Sequence, residues 1–267
     1  MRLVGASLYL AVALLSLAGC SRPQQQAQSA ASPASSPAAP LAAQTASAGP
    51  ASTPGVTVAF TDIGGTFAEQ SIKDEAALGV FDQTSGAFNP NAPISRADFV
   101  RWLVKADDAY FASDPQHQIR LAEGTTATFV DVPPSDPNYK YIQALANAGY
   151  VIGKNATHFV PSQPITREEM IAIKAQVDEG STIASDPGLV QFLPFSDKST
   201  INPQFLGAVH EDFSVRTTQN IGRVWGSIKV FHPRQAVTRS EAAIAIWEIG
   251  SGSAAVALGR TAPPGPH

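Results

Sequence analysis

Three Phe-x-Pro tripeptides, Phe88-Asn89-Pro90, Phe159-Val160-Pro161 and Phe231-His232-Pro233, stand 71 and 72 residues apart. An internal period constrains architecture more than any composition figure, because each copy must fold as one unit and bury its apolar face against the others. The copies share more than the tripeptide. A β-branched residue follows each Pro by four positions: Ile94, Ile165 and Val237. Then come Ser95-Arg96, Thr166-Arg167 and Thr238-Arg239, and two residues beyond each Arg an acid: Asp98, Glu169 and Glu241. Upstream, each copy opens on Phe-x-Asp, ending at Asp62, Asp131 and Asp197.

Each copy predicts two helices joined by a Pro-rich loop. In the second, "NYKYIQALANAGYVIG" places Tyr139, Ile142, Leu145 and Ala146 on one helical face, with Gly149 as the stop; Gly79 matches it in the first. The second helix begins after the Ser/Thr-Arg pair, where "RADFVRWLVKADDAYF" aligns Phe99, Trp102, Leu103 and Ala106. Ser95-x-x-Asp98, Thr166-x-x-Glu169 and Thr238-x-x-Glu241 read as capping boxes, and Ile94 with Phe99 and Ile165 with Met170 have hydrophobic-staple spacing.

The Arg residues do not fit that account. A helix N-terminus carries about half a positive charge, so a cation there costs about 0.3–1 kcal/mol. Three Arg at equivalent places ask for a reason. One is structural: pairing with the Phe-x-Asp carboxylate of a neighbouring copy, Asp62, Asp131 or Asp197. The other is functional: guanidinium and free helix amides converging on an anion.

The pattern Phe-x-Asp, helix, Gly, then Phe-x-Pro-x-x-x-Ile-Thr-Arg-x-Glu and a second helix resembles the S-layer homology module. "GAFNPNAPISRADFVRWLVKA" and "PSQPITREEM" match best. The third copy fits at "VFHPRQAVTRSEAAIAIWEI" but is degenerate in "VHEDFSVRTTQNIGRVWGS", which lacks a glycine-bounded turn. The family's His-Trp-Ala is absent; "GTFA", "NYKY" and "NPQF" stand there. The resemblance implies a mainly α domain of three helical hairpins around a pseudo-threefold axis, with grooves that hold anionic cell-wall polysaccharide. It assigns glycan contacts to Arg96, Arg167 and Arg239 with Ser95, Thr166 and Thr238. Asp98, Glu169, Glu241, Asp62, Asp131 and Asp197 take supporting places. Trp102, Trp225 and Trp247 read either as core or as platforms for sugar rings.

The only Cys is Cys20, which excludes an intrachain disulfide and a Cys-based zinc site. It follows Arg2 and the apolar run "LVGASLYLAVALLSLAG", which reads as an export signal. Leu17-Ala18-Gly19-Cys20 resembles the lipobox of bacterial lipoproteins, implying cleavage before Cys20 and acylation of its sulfur. Ser21, rather than Asp, resembles the pattern of lipoproteins sent to the outer membrane where a cell has two. Residues 21–57 are Gln, Ala, Ser, Pro and Thr with almost no charge, the composition of a disordered tether averaging roughly 35 Å and reaching about 110 Å.

The expected organisation is therefore a signal peptide at 1–19, lipidated Cys and linker at 20–57, S-layer homology repeats at 58–112, 127–178 and 193–250, and a flexible tail at 251–267. A net charge of -4 argues against a nucleic-acid partner. His117, His158, His210, His232 and His267 lack metal-ligand spacing, and no nucleophile elbow or phosphate loop occurs. No catalytic residue, metal or cofactor is expected. The expected partners are a membrane, through the lipid, and a wall polysaccharide or peptidoglycan-linked glycan, which would tether one to the other. The alternative is a scaffold that docks other envelope proteins without binding glycan.

Overall fold

The computed structural model describes residues 56–151, 153–215 and 219–261. The signal peptide, Cys20 and nearly all of the linker fall outside them. The described chain is mostly helical. Strand β1 (Ala59–Phe60) leads to helix α1 (Glu69–Ala77), then β2 (Ser85–Gly86) and α2 (Arg96–Tyr110). Helices α3 (Tyr139–Asn147) and α4 (Arg167–Glu179) follow, then α5 (Leu206–Ser214), α6 (Asn220–Trp225) and α7 (Arg239–Ile246). The chain closes with β3 (Glu248–Ile249), β4 (Gly252–Ser253) and α8 (Ala254–Ala257). The strands make only two-residue pairs, β1 with β2 parallel and β3 with β4 antiparallel. No described helix is long and apolar enough to cross a membrane.

The β-branched residues ahead of α2, α4 and α7 hold the centre. The Ile94 N–H donates to the Val237 carbonyl at 2.9 Å, Val237 to Ile165 at 2.9 Å and Ile165 back to Ile94 at 3.0 Å. Three chain segments thus close a ring of three hydrogen bonds. Each ring residue and each Phe of the Phe-x-Pro turns is no more than 1% exposed. Burying a side chain of that size contributes about 1.5–3 kcal/mol, so six of them at one junction decide how the helices meet.

Gly79 and Gly149 adopt positive φ just past α1 and α3, as a left-handed helix stop requires. The third copy differs. Helix α5 ends at Ser214 with no glycine, and the buried Asp212 instead accepts the N–H groups of Asn220 and Ile221 at 2.9 and 3.0 Å. A carboxylate at those amides starts the additional helix α6. The tail also departs from expectation. Residues 252–257, expected to be loose, form β4 and α8; Ala254 and Ala255 are buried, and α8 packs on α1 and α2. Small residues suit so close a seat, and Arg260 pairs with Asp74 of α1 beyond it.

Several acids lie inside this framework. Burial raises the Asp107 carboxyl to about 6, although it accepts the Ile119 N–H at 2.6 Å. Burial likewise raises Asp212 to about 6. It also drives the Glu75 carboxyl well above its ordinary value, and the Tyr110 hydroxyl lies within hydrogen-bond reach of both Glu75 Oε1 and the Ile246 carbonyl. A carboxyl whose folded pKa exceeds its unfolded value binds its proton more readily in the native state. Stability from Asp107 and Asp212 is then full below about 3.8 and lost as pH rises through about 6. The full chain should therefore melt about 5 °C higher at pH 5 than at pH 7.5 by calorimetry, and Asp107→Asn should flatten that slope. A higher melting point at pH 7.5 would contradict this.

Candidate functional site

The three Phe-x-Pro turns share one local construction. Asp62 accepts the N–H groups of Phe88 and Asn89, both at 2.7 Å. Asp131 accepts those of Phe159 (2.9 Å) and Val160 (2.7 Å), and Asp197 those of Phe231 (2.9 Å) and His232 (2.8 Å). The middle residue of each turn sits at positive φ: Asn89 at 58°, Val160 at 59° and His232 at 54°. The Phe88 N–H holds the Asp62 carboxyl below its usual value. At Asp131 burial pushes upward, but the Phe159 and Val160 amides outweigh it and the carboxyl titrates low.

Asn tolerates the left-handed region; a β-branched residue there is strained by about 1–2 kcal/mol. Val160→Asn, which copies the first turn, should therefore stabilise the chain by about 1 kcal/mol in urea titration. An unchanged or lower midpoint would show that Val160 packing outweighs the backbone.

These Asp residues serve their own turns, and the ion pairs that Arg96 and Arg167 make among the described residues go to Glu169 and Glu241 rather than to Asp131 or Asp197. Each guanidinium instead leaves its helix start for the next copy. Arg96 Nε donates to the Phe159 carbonyl at 2.9 Å, lies 4.5 Å from that ring and pairs with Glu169 at 3.1 Å. Arg167 donates to the Phe231 carbonyl at 3.2 Å, pairs with Glu241 at 3.1 Å and lies 4.4 Å from the Trp225 ring. Arg239 Nε donates to the Phe88 carbonyl at 2.8 Å and lies 4.7 Å from both the Phe88 and Trp102 rings. Each turn is therefore gripped from both sides: Asp takes its N–H groups and the neighbour's Arg takes its carbonyl.

The three Arg are not equally open. Arg96 is 1% and Arg167 8% exposed, whereas Arg239 is half-buried and makes no ion pair among the described residues. The difference traces to one methylene. Asp98 stands where the other copies have Glu169 and Glu241, and it turns to Arg101 at 2.9 Å. Caps vary in parallel. Ser95 accepts the Asp98 N–H at 3.0 Å, the Glu169 carboxylate accepts the Thr166 N–H at 3.0 Å, and Thr238 with Glu241 forms the reciprocal box. Burial raises Glu169, but Arg96 outweighs it, and the carboxyl titrates low. Trp102 is core, while the Trp225 and Trp247 indoles donate to Glu241 (2.6 Å) and Asp74 (3.0 Å).

A cavity of about 330 Å³ opens beside the start of α4. Lys154, Thr166, Glu168, Glu169, Asn202 and Arg234 line it. Lys154 pairs with Glu169, whose other oxygen already holds Arg96. Larger hollows of about 750 and 720 Å³ lie elsewhere, and neither includes any of the three caps. Sequence reading missed Lys154, Glu168 and Arg234. A signal existed for Glu168: it fills the x of Thr-Arg-x-Glu, where the other copies carry Ala97 and Ser240.

Residues 59–100 and 128–171 match the S-layer homology domain. Domains of this family typically anchor proteins to the cell wall through secondary cell-wall polymers, a binding role and not a catalytic one. Each S-layer homology match runs from β1 or the Phe-x-Asp turn through the clamped Phe-x-Pro turn into α2 or α4. No curated protein matches the chain.

Proposed function

We propose that this chain is a non-catalytic envelope lipoprotein that grips an anionic wall polysaccharide and thereby tethers a membrane to the wall. Its anchor is an acylated Cys20, in the outer membrane where the cell has two, and residues 21–57 bridge the gap. Residues 193–250 form a third, degenerate S-layer homology unit, packed with 58–112 and 127–178 about a pseudo-threefold axis. The hydrogen-bond ring through Ile94, Ile165 and Val237 supports that reading, because the third segment joins it on the same terms as the two matched ones.

One observation carries the binding role: the open cleft at the α4 start is walled on one side by Lys154 and Thr166 of a segment that matches a wall-binding family, and on the other by Arg234 from outside that segment. Cationic side chains suit carboxylate or phosphate substituents, and they act here without the helix amides, since the Arg167 and Glu168 N–H groups donate to the Gln235 and Pro233 carbonyls. Of the cap Arg residues, Arg96 and Arg167 act as braces beneath the clefts, and Arg239 remains available to an anion.

Full-length protein in detergent, mixed with purified wall sacculi, should sediment with them. Sacculi stripped of attached polysaccharide should release it, and Arg234→Ala should weaken retention on intact walls. Undiminished binding to stripped walls would sink the glycan reading and favour a protein or peptidoglycan partner. In the producing cell, Cys20→Ser should abolish membrane partition.

A further inference from the structure

Glu168 sets the α4 cleft apart. It is 6% exposed, and its one hydrogen bond as an acceptor is Oε2 to the Asn202 N–H at 2.8 Å. Among the described residues, Oε1 has no hydrogen bond and no ion pair, yet the side chain lines the cavity. An oxygen that faces the cavity without a protein donor is free to accept one from a ligand. The nearby cations favour the carboxylate without pairing with it. Arg96 and Lys154 are both engaged by Glu169. Arg234 is exposed and makes no ion pair among the described residues. Glu168 and Arg234 thus stand on the same wall without an ion pair, the Arg234 charge offsetting the Glu168 carboxylate only from a distance. The other copies offer Ala97 or Ser240 at this place, so the device belongs to this cleft alone.

We infer that the α4 cleft recognises a zwitterionic sugar, one carrying a protonated amine and an anionic substituent. Glu168 Oε1 accepts from the ammonium, and Arg234, with the exposed part of Lys154, faces the carboxylate or phosphate. A cavity of about 330 Å³ is at the small end of ligand pockets, which suits a single ring and its substituents. The inference rests on the wall-glycan reading and narrows it to a polymer containing free amino sugars. A purely anionic glycan would leave Glu168 unpaired and would be repelled by it.

Three probes separate the amine from the anion: glucosamine 6-phosphate, N-acetylglucosamine 6-phosphate and glucose 6-phosphate, titrated into the full-length protein. Glucosamine 6-phosphate should bind about tenfold more tightly than either of the others. In Glu168→Gln, which keeps an acceptor for the Asn202 N–H, that preference should fall to within about twofold. Arg234→Ala, at an exposed position that leaves the fold intact, should weaken all three sugars alike and preserve the preference. Equal affinities in the native chain, a preference that survives Glu168→Gln, or no binding by any probe would overturn the inference. If the sugars fail while intact walls still retain the protein, only this narrower assignment falls; if walls also fail, the wall-glycan reading goes with it.

Discussion

Arg96→Ala should lower the unfolding free energy by about 3 kcal/mol in urea titration, with the slope unchanged. The residue is 1% exposed and reaches across 63 residues of chain to the Phe159 carbonyl. Removing it strands a buried carbonyl and half of the Glu169 carboxylate's compensation. Lys154 still holds Glu169, which keeps the loss at the lower end of the range for a broken buried pair. Arg96→Lys should recover little, because an ammonium cannot lie over the Phe159 ring and serve carbonyl and carboxylate together. The same change at Arg239, half-buried and without an ion pair, should cost about 1 kcal/mol. Equal losses at Arg96 and Arg239 would overturn the view that the carboxylate partner distinguishes them.

Asp131→Ala should cost about 2–4 kcal/mol, since two charge-assisted hydrogen bonds disappear together. The Phe159 and Val160 amides lose their acceptor, and Val160 no longer has anything to hold it at a φ of 59°. Asp131→Asn retains one acceptor and should lose about half as much. Because Arg96 grips the carbonyl of the turn that Asp131 clamps, the two substitutions should be sub-additive in a double-mutant cycle. Full additivity would mean that the two sides of the turn are independent.

Much of the architecture was readable before any coordinates. The repeat offsets of 71 and 72 residues show directly by self-comparison, and the Gly79 and Gly149 stops and the Ser/Thr caps are local signals that act over a few residues. The destination of each Arg was not readable. It depends on which copy lies next to which, and the carboxylate that receives it belongs to a different helix. The Phe-x-Asp acids were visible as a repeated feature, but their role needed the left-handed turn residue 27, 29 or 35 positions downstream, which in the second copy a Val disguises. Helix α6 was hidden because its start depends on Asp212, eight residues earlier, rather than on an adjacent cap. Glu168 looked like one more acid in a helix's first turn. Only its burial and open oxygen distinguish it.

The triangle joining Ile94, Ile165 and Val237 has no free end. An open stack of helical hairpins can gain or lose a member and keep its terminal caps. Here a deletion would leave two edges unmatched, and an insertion would have no vacant place to enter. Copy number is thus locked by geometry, and diversification is left to individual side chains on otherwise equivalent stations. The last station lies near the end of the described chain. The Arg239-to-Phe88 bond spans 151 residues, so the triangle cannot shut until all the chain between those two residues has been delivered.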